Sequence, residues 1–167
     1  NIEKPNVIIV IWESLTAKIV GVLGGENGVT ENLNQFAKEG ILFDSFYANG
    51  SRSDKGIVAL LSGYYPQPGQ SIMKMPSKSR SLPSLPRNLS KMGYSTSFHY
   101  GGDLNFGNMV SYLRNIDVDQ MTSEDDFNLS LSFLTPSYSI LRTKNYLGDG
   151  NTVSDKNLGF APGLGSL

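Results

Sequence analysis

"NVIIVIWESL", residues 6–15, is an unbroken apolar run rich in β-branched side chains that ends on Glu13 and Ser14. Val7 to Trp12 leave no polar face. The run therefore reads as a strand covered on both sides, the habit of a parallel sheet held between helices. It is far too short to span a bilayer. Working outward, "TENLNQFAKEG" (30–40) predicts a short helix with Thr30 as N-cap, Leu33, Phe36 and Ala37 on one face, and Gly40 as the stop. "ILFDSFYA" (41–48) reads as a second strand. "DKGIVALLSG" (54–63) begins polar, continues as an apolar helix and stops at Gly63 before the turn "YYPQPG".

"SIMKMPSKSRS" (71–81) reads as a polar loop, and "SLPRNLSKMG" (84–93) as a helix with Pro86 near its start and Gly93 as its stop. "YSTSFHY" (94–100) alternates and predicts a strand. "GGDLNFGN" is a turn, "MVSYLRNI" (109–116) a helix, and "DVDQMTSEDDF" an acidic connector. Strands alternating with helices make the fold class α/β and layered. No internal repeat is present. Residues 128–167 are rich in Ser, Gly, Asn and Pro without a sustained period, and are expected to be irregular.

With 167 residues, the chain is long enough for a domain with a real core. Lys and Arg number 14 against 15 Asp and Glu, which gives no electrostatic case for nucleic acid. The absence of cysteine excludes disulfides, thiolate metal sites and a cysteine nucleophile. Asn1-Ile-Glu-Lys-Pro is no signal peptide, and the abrupt start reads as that of a processed or cloned fragment.

Candidate chemistry gathers at strand ends and at one helix start. Glu13 ends the first strand, where α/β sheets bind ligands, and a carboxylate there suits a divalent cation; it could equally meet solvent or cap the next helix. In "NGSRSDKGIVALLSG" (49–63), Ser53 stands where a helix presents its amide groups and positive dipole end. That position suits an oxyanion or an activated hydroxyl, with Arg52 and Lys55 to hold the anion. The alternative is an ordinary Ser53 or Asp54 cap between solvated cations. His99, the one histidine, ends a predicted strand at the same sheet edge as Glu13. Asp103, Asn105 and Asn108 come next, on a turn, and either contact a polar substrate or shape the turn. Trp12, Tyr64 and Tyr65 either line a sugar-like or lipid-head substrate or pack the core and rim.

"NVIIVIWESL", "TENLNQFAKEGILFDSFYANGSRSDKGIVALLSGYYPQP" and "LPRNLSKMGYSTSFHYGGDLNFGNM", in this order, resemble the sulfatase branch of the alkaline-phosphatase superfamily. Within it, the chain is most similar to lipoteichoic-acid synthase and related phosphoglycerol transferases, over roughly residues 5 to 127. The resemblance implies an α/β/α sandwich with a mostly parallel sheet. It makes residues 1–127 the N-terminal part of a catalytic domain and leaves 128–167 outside the pattern. It implies a divalent metal, Mn2+ above Mg2+, Ca2+ or Zn2+, held by Glu13 and Ser53, with Ser53 as nucleophile. Substrate contacts fall to Arg52, Lys55, His99 or Tyr100, Asp103 and Asn108. The implied substrate is a phospholipid head group or an envelope glycan, at the extracytoplasmic face of a membrane, with an anchor upstream.

Departures from the family pattern are specific. Serine replaces the usual threonine of phosphoglycerol transferases at position 53. The tryptophan and arginine usual after the Tyr100–Asp103 segment are absent, with Gly107 and Met109 nearby. Sulfatases that oxidise Cys or Ser to formylglycine need x-Pro-x-Arg after it, whereas Ser53 precedes Asp54-Lys55-Gly56. The family's downstream Asp-His metal ligands have no counterpart, since no histidine comes after His99, so this chain by itself is expected to be inactive.

Overall fold

The structure, a computed structural model, describes residues 4–13 and 15–126 together with the backbone of 138–145. It divides into two compact units, 12–48 and the rest. The smaller holds two 3₁₀ turns, Ala17–Ile19 and Gly21–Leu23, and helix α1, Glu31–Glu39. Asn34 ties them together by accepting the Val22 N–H at 2.8 Å. Thr30 precedes α1 as expected, but its hydroxyl donates to the Ile19 carbonyl at 3.1 Å instead of capping the helix. Residues 41–48 form no strand: the described part of this unit offers them no ladder to join, and Ile41, Phe43, Phe46 and Tyr47 are exposed.

The larger unit is built on a four-stranded sheet. Its strands are β1 (Val7–Trp12), β2 (Tyr94–Tyr100), β3 (Gln120–Thr122) and β4 (Tyr138–Asn145), in the order β1-β4-β2-β3. β2 and β3 are parallel, with Ser97 opposite Gln120 and His99 opposite Thr122. β4 runs antiparallel to β2, Tyr94 opposite Asn145 and Tyr100 opposite Ser139. The helices are α2 (Ser53–Ser62), α3 (Pro76–Ser79), α4 (Leu85–Lys91) and α5 (Met109–Asn115).

Among the described residues β1 sits at the edge of this sheet and is not covered on both faces. Ile9 and Ile11 pack against the core, while Ile8 and Val10 remain 52% and 56% exposed, because the described residues cover one side of the strand only. Three other segments are more regular than their composition suggests. Residues 71–81 contain the 3₁₀ turn Ile72–Lys74 and α3, fixed by Met73, which is fully buried. The acidic connector contributes β3, and the stretch after 128 contributes β4.

β2 is the spine of the core. Tyr94, Thr96, Phe98 and Tyr100 are buried on one face, and Ser95, Ser97 and His99 are half-buried on the other, as strand alternation requires. Phe98 and Tyr100 share a cluster with Ile57, Val58 and Leu61 of α2 and with Tyr112 and Leu113 of α5. Thr96 and Ser84, both buried, have their polar groups paired. The Asp119 carboxylate accepts both the Thr96 N–H, at 2.7 Å, and its hydroxyl, at 3.1 Å. The Ser84 hydroxyl donates to the Ile116 carbonyl at 2.5 Å and accepts the Arg87 N–H, capping α4. Gly63 ends α2 in the left-handed region, at φ 60°, as its glycine stop predicts. Among the described residues no helix is long and apolar enough to cross a membrane.

Tyr112 and Ser62 join α5 to α2 through a 2.7 Å hydroxyl pair in the core. Burial pushes the Tyr112 phenol up to about 12, with the Ser62 hydrogen bond opposing the rise in part. A phenol whose folded value lies above its unfolded value of about 10 stabilises the fold fully below pH ~10; that contribution is lost as pH rises through ~12. Urea unfolding should therefore show the wild type losing about 2–3 kcal/mol more than Tyr112→Phe between these pH values. Parallel losses in the two proteins would refute this assignment.

Candidate active site

α2 supplies the site. It begins at Ser53, and the Lys55 and Gly56 N–H groups both close on the Arg52 carbonyl, at 3.0 and 2.9 Å. Arg52 is the N-cap residue, in extended backbone and without a side-chain cap. Ser53 is thus the first helical residue, half-buried at the positive end of a ten-residue helix. The apolar face Ile57, Val58 and Leu61 anchors that helix in the core and fixes where its first turn sits.

Asp54 is no solvated cap. Only 7% of it is exposed, and it stands beneath the helix start between two cations. Arg52 Nε lies 3.4 Å from Oδ1, and Lys74 Nζ lies 3.9 Å from Oδ2. Lys74 arrives on the 3₁₀ turn Ile72–Lys74, which is held to α2 by the Ser71 hydroxyl donating to the Asp54 carbonyl at 2.9 Å. Residues 106–108 complete the surroundings. Gly107 has φ 66°, and a Cβ there would stand 3.9 Å from Asp54 Cβ and 4.0 Å from Lys74 Cε. Asn108 donates from Nδ2 to the Met73 carbonyl at 3.3 Å. The structure therefore brings together Arg52, Ser53, Asp54, Lys74 and the 106–108 turn.

Other predicted residues fall differently. The Lys55 ammonium donates to the Gln67 carbonyl at 2.9 Å and lines a separate cavity of about 270 Å³ with Val58, Tyr64 and Lys78. Tyr64 packs partly against the core, and Tyr65 is exposed. His99 and Tyr100 point to opposite faces of β2. His99 is half-buried, with Nε2 3.0 Å from the Ser97 hydroxyl, and Tyr100 is in the core. Asp103 shapes its own turn, its carboxylate accepting the Asn105 N–H at 2.8 Å and the Asn105 side-chain amide at 2.9 Å. Glu13 is half-buried just past the end of β1, and with Trp12 it belongs to the unit 12–48.

Lys74 is the site residue that sequence patterns miss. It sits in a stretch that reads as a loop, 21 positions from Ser53, and only its pairing with the buried Asp54 reveals it. The one available signal was "SIMK", where apolar Ile72 and Met73 precede the lysine and fix its turn against the core.

The model of the Sulfatase family matches residues 5–158. The chain is 27% identical over 130 residues to a Delta 4,5-hexuronate-2-O-sulfatase of Bacteroides thetaiotaomicron, covering 75% of this chain and 27% of that protein. It is 34% identical over 64 residues to the N-acetylgalactosamine-6-sulfatase of Sus scrofa, covering 38% and 12% respectively. A crystal structure of a protein in the alkaline phosphatase superfamily from Vibrio parahaemolyticus superposes with a TM-score of 0.66 at 34% identity, over 73% of this chain and 29% of that one. The chain thus spans 12% to 29% of the length of these relatives. The fold is α/β and alkaline-phosphatase-like.

Proposed function

Because the chain belongs to the sulfatase family, we propose that it carries the nucleophile of an enzyme that cleaves or transfers anionic esters, with Ser53 as that nucleophile. The observation that supports this reading is the placement of a half-buried serine at the first position of α2, beside two cations gathered on a buried carboxylate. Ser53 Oγ attacks the central atom of the ester, the bond to the leaving oxygen breaks, the serine proton ends on that oxygen as the alcohol departs, and the group rests on the serine until water or an alcohol takes it. Arg52 offsets charge on the non-bridging oxygens as it builds in the transition state. The helix dipole acts in the same sense.

Family membership brings the expectation of a divalent cation. Among the described residues no three His, Asp or Glu side chains come together as a metal site, so the residues present do not by themselves fit one.

Phosphate esters of the phosphoglycerol type are the favoured substrate class. Ser53 is followed by Asp54-Lys55-Gly56, not by the x-Pro-x-Arg that formylglycine formation requires, so it acts as a plain hydroxyl. A second reading, sulfate-ester hydrolysis, is favoured by the sulfatase names of the relatives. A side-by-side assay of the complete protein with p-nitrophenyl phosphate, bis-p-nitrophenyl phosphate and p-nitrophenyl sulfate separates them. We expect kcat/KM for the better phosphate ester to exceed that for the sulfate ester by at least about 100-fold, a difference of roughly 3 kcal/mol in transition-state binding. The reverse order would establish the second reading.

A further inference from the structure

We propose that Lys74 is the second cation of the anion-binding site at Ser53, in the place sequence spacing assigns to Lys55, and that Asp54 is the positioning residue that aims Arg52 and Lys74 at the bound oxyanion. The inference rests on Ser53 marking the reacting centre. It takes the ligand to be a tetrahedral oxyanion such as phosphate or sulfate.

Buried carboxylates in folded proteins collect hydrogen bonds, and one left without them calls for an explanation. Asp54 is such a case: Oδ1 has no hydrogen-bond partner, and its two cations stand at 3.4 and 3.9 Å, held by charge alone. The cations show the complementary pattern. Among the described residues neither the Arg52 guanidinium nor the Lys74 ammonium makes a hydrogen bond, although these groups carry five and three N–H donors. A purely structural ion pair would use those donors on the carboxylate. Here the carboxylate is buried, while the Arg52 and Lys74 side chains are 62% and 35% exposed, so the anchor lies inside and the donors reach outward. The three groups sum to one positive charge at the positive end of α2, which suits an anion. Lys55 is already committed to the Gln67 carbonyl.

Equilibrium binding of inorganic phosphate to this chain, followed by titration calorimetry and repeated with sulfate, tests the assignment without requiring turnover. Lys74→Met should weaken binding about tenfold or more, while Lys74→Arg stays within about threefold of wild type. Lys55→Met should change it by less than about twofold. Asp54→Asn removes a negative charge, so electrostatics alone would tighten binding; a weaker affinity is the expected result and the mark of a positioning role. Circular dichroism and a thermal midpoint identify any variant that fails to fold, and should Asp54→Asn do so, the Lys74 and Lys55 variants decide. Equal losses for Lys55→Met and Lys74→Met, tighter binding by a folded Asp54→Asn, or no saturable phosphate binding by the wild type would each overturn the proposal. Retained turnover in Ser53→Ala of the complete protein, with phosphate binding still dependent on Lys74, would sink the nucleophile reading and leave the anion site standing.

Discussion

In the complete protein, Ser53→Ala is expected to lower turnover of the preferred anionic ester by on the order of 10⁴-fold or more, leaving fold and ground-state binding nearly intact. The size reflects what the hydroxyl does. A nucleophile that forms a covalent intermediate has no substitute once its oxygen is removed, and the remaining cations can only bind the substrate. The structural cost is small, because Ser53 occupies the first turn of α2, the Arg52 carbonyl still closes on Lys55 and Gly56, and Ile57, Val58 and Leu61 still anchor the helix. The measurement is a rate at saturating substrate beside a thermal midpoint. Ser53→Thr supplies the control, since it keeps a hydroxyl at the same atom and should retain far more activity than alanine. If alanine at position 53 turned over within tenfold of wild type, another group would be the nucleophile.

Phe98→Ala is expected to cost about 3–5 kcal/mol of stability. Phe98 is completely buried at the centre of β2, with Met121 of β3 and Leu141 of β4 as its register partners. It shares the main cluster with residues of α2 and α5, so a void there faces several elements at once and cannot close by moving one of them. A domain with typical stability of about 5–15 kcal/mol would lose from about a fifth of it to nearly all of it. Urea unfolding should show a lower midpoint with an unchanged slope. A loss below about 1 kcal/mol would mean that the core around β2 is looser than this packing implies. The effect should also reach the site, because β2 runs directly into the Gly101–Asn108 turn that closes over Lys74.

Elements with strong local signals were legible from residues alone. α1, α2, α4, β2 and α5 each carry a cap, a stop or a clean period, and each appears within a residue or two of its expected place. β3 and β4 were not legible, since three residues of an acidic connector, or "YSILRTKN", become strands only when β2 is there to pair with them. The reverse failure is residues 41–48, apolar and β-prone, which find no ladder among the described residues of their unit. At the site, Ser53 beside Arg52 was readable because both belong to one helix start. Lys74 was not, because its role depends on a contact between segments distant in sequence, made through a buried aspartate whose spacing resembled that of an ordinary cap.

The position of β4 in the sheet governs the order in which the chain matures during synthesis. Among the described strands β1 is neighboured by β4 alone, and β4 begins only at Tyr138. At about 5–20 residues per second, the first strand leaves the ribosome roughly 6–25 seconds before the strand it joins. Over that interval five consecutive aliphatic residues, Val7 to Ile11, stand exposed as an unpaired β-prone segment, the kind that associates with other nascent chains. Slowing elongation should lower the soluble yield, and coexpressing a holdase should raise it.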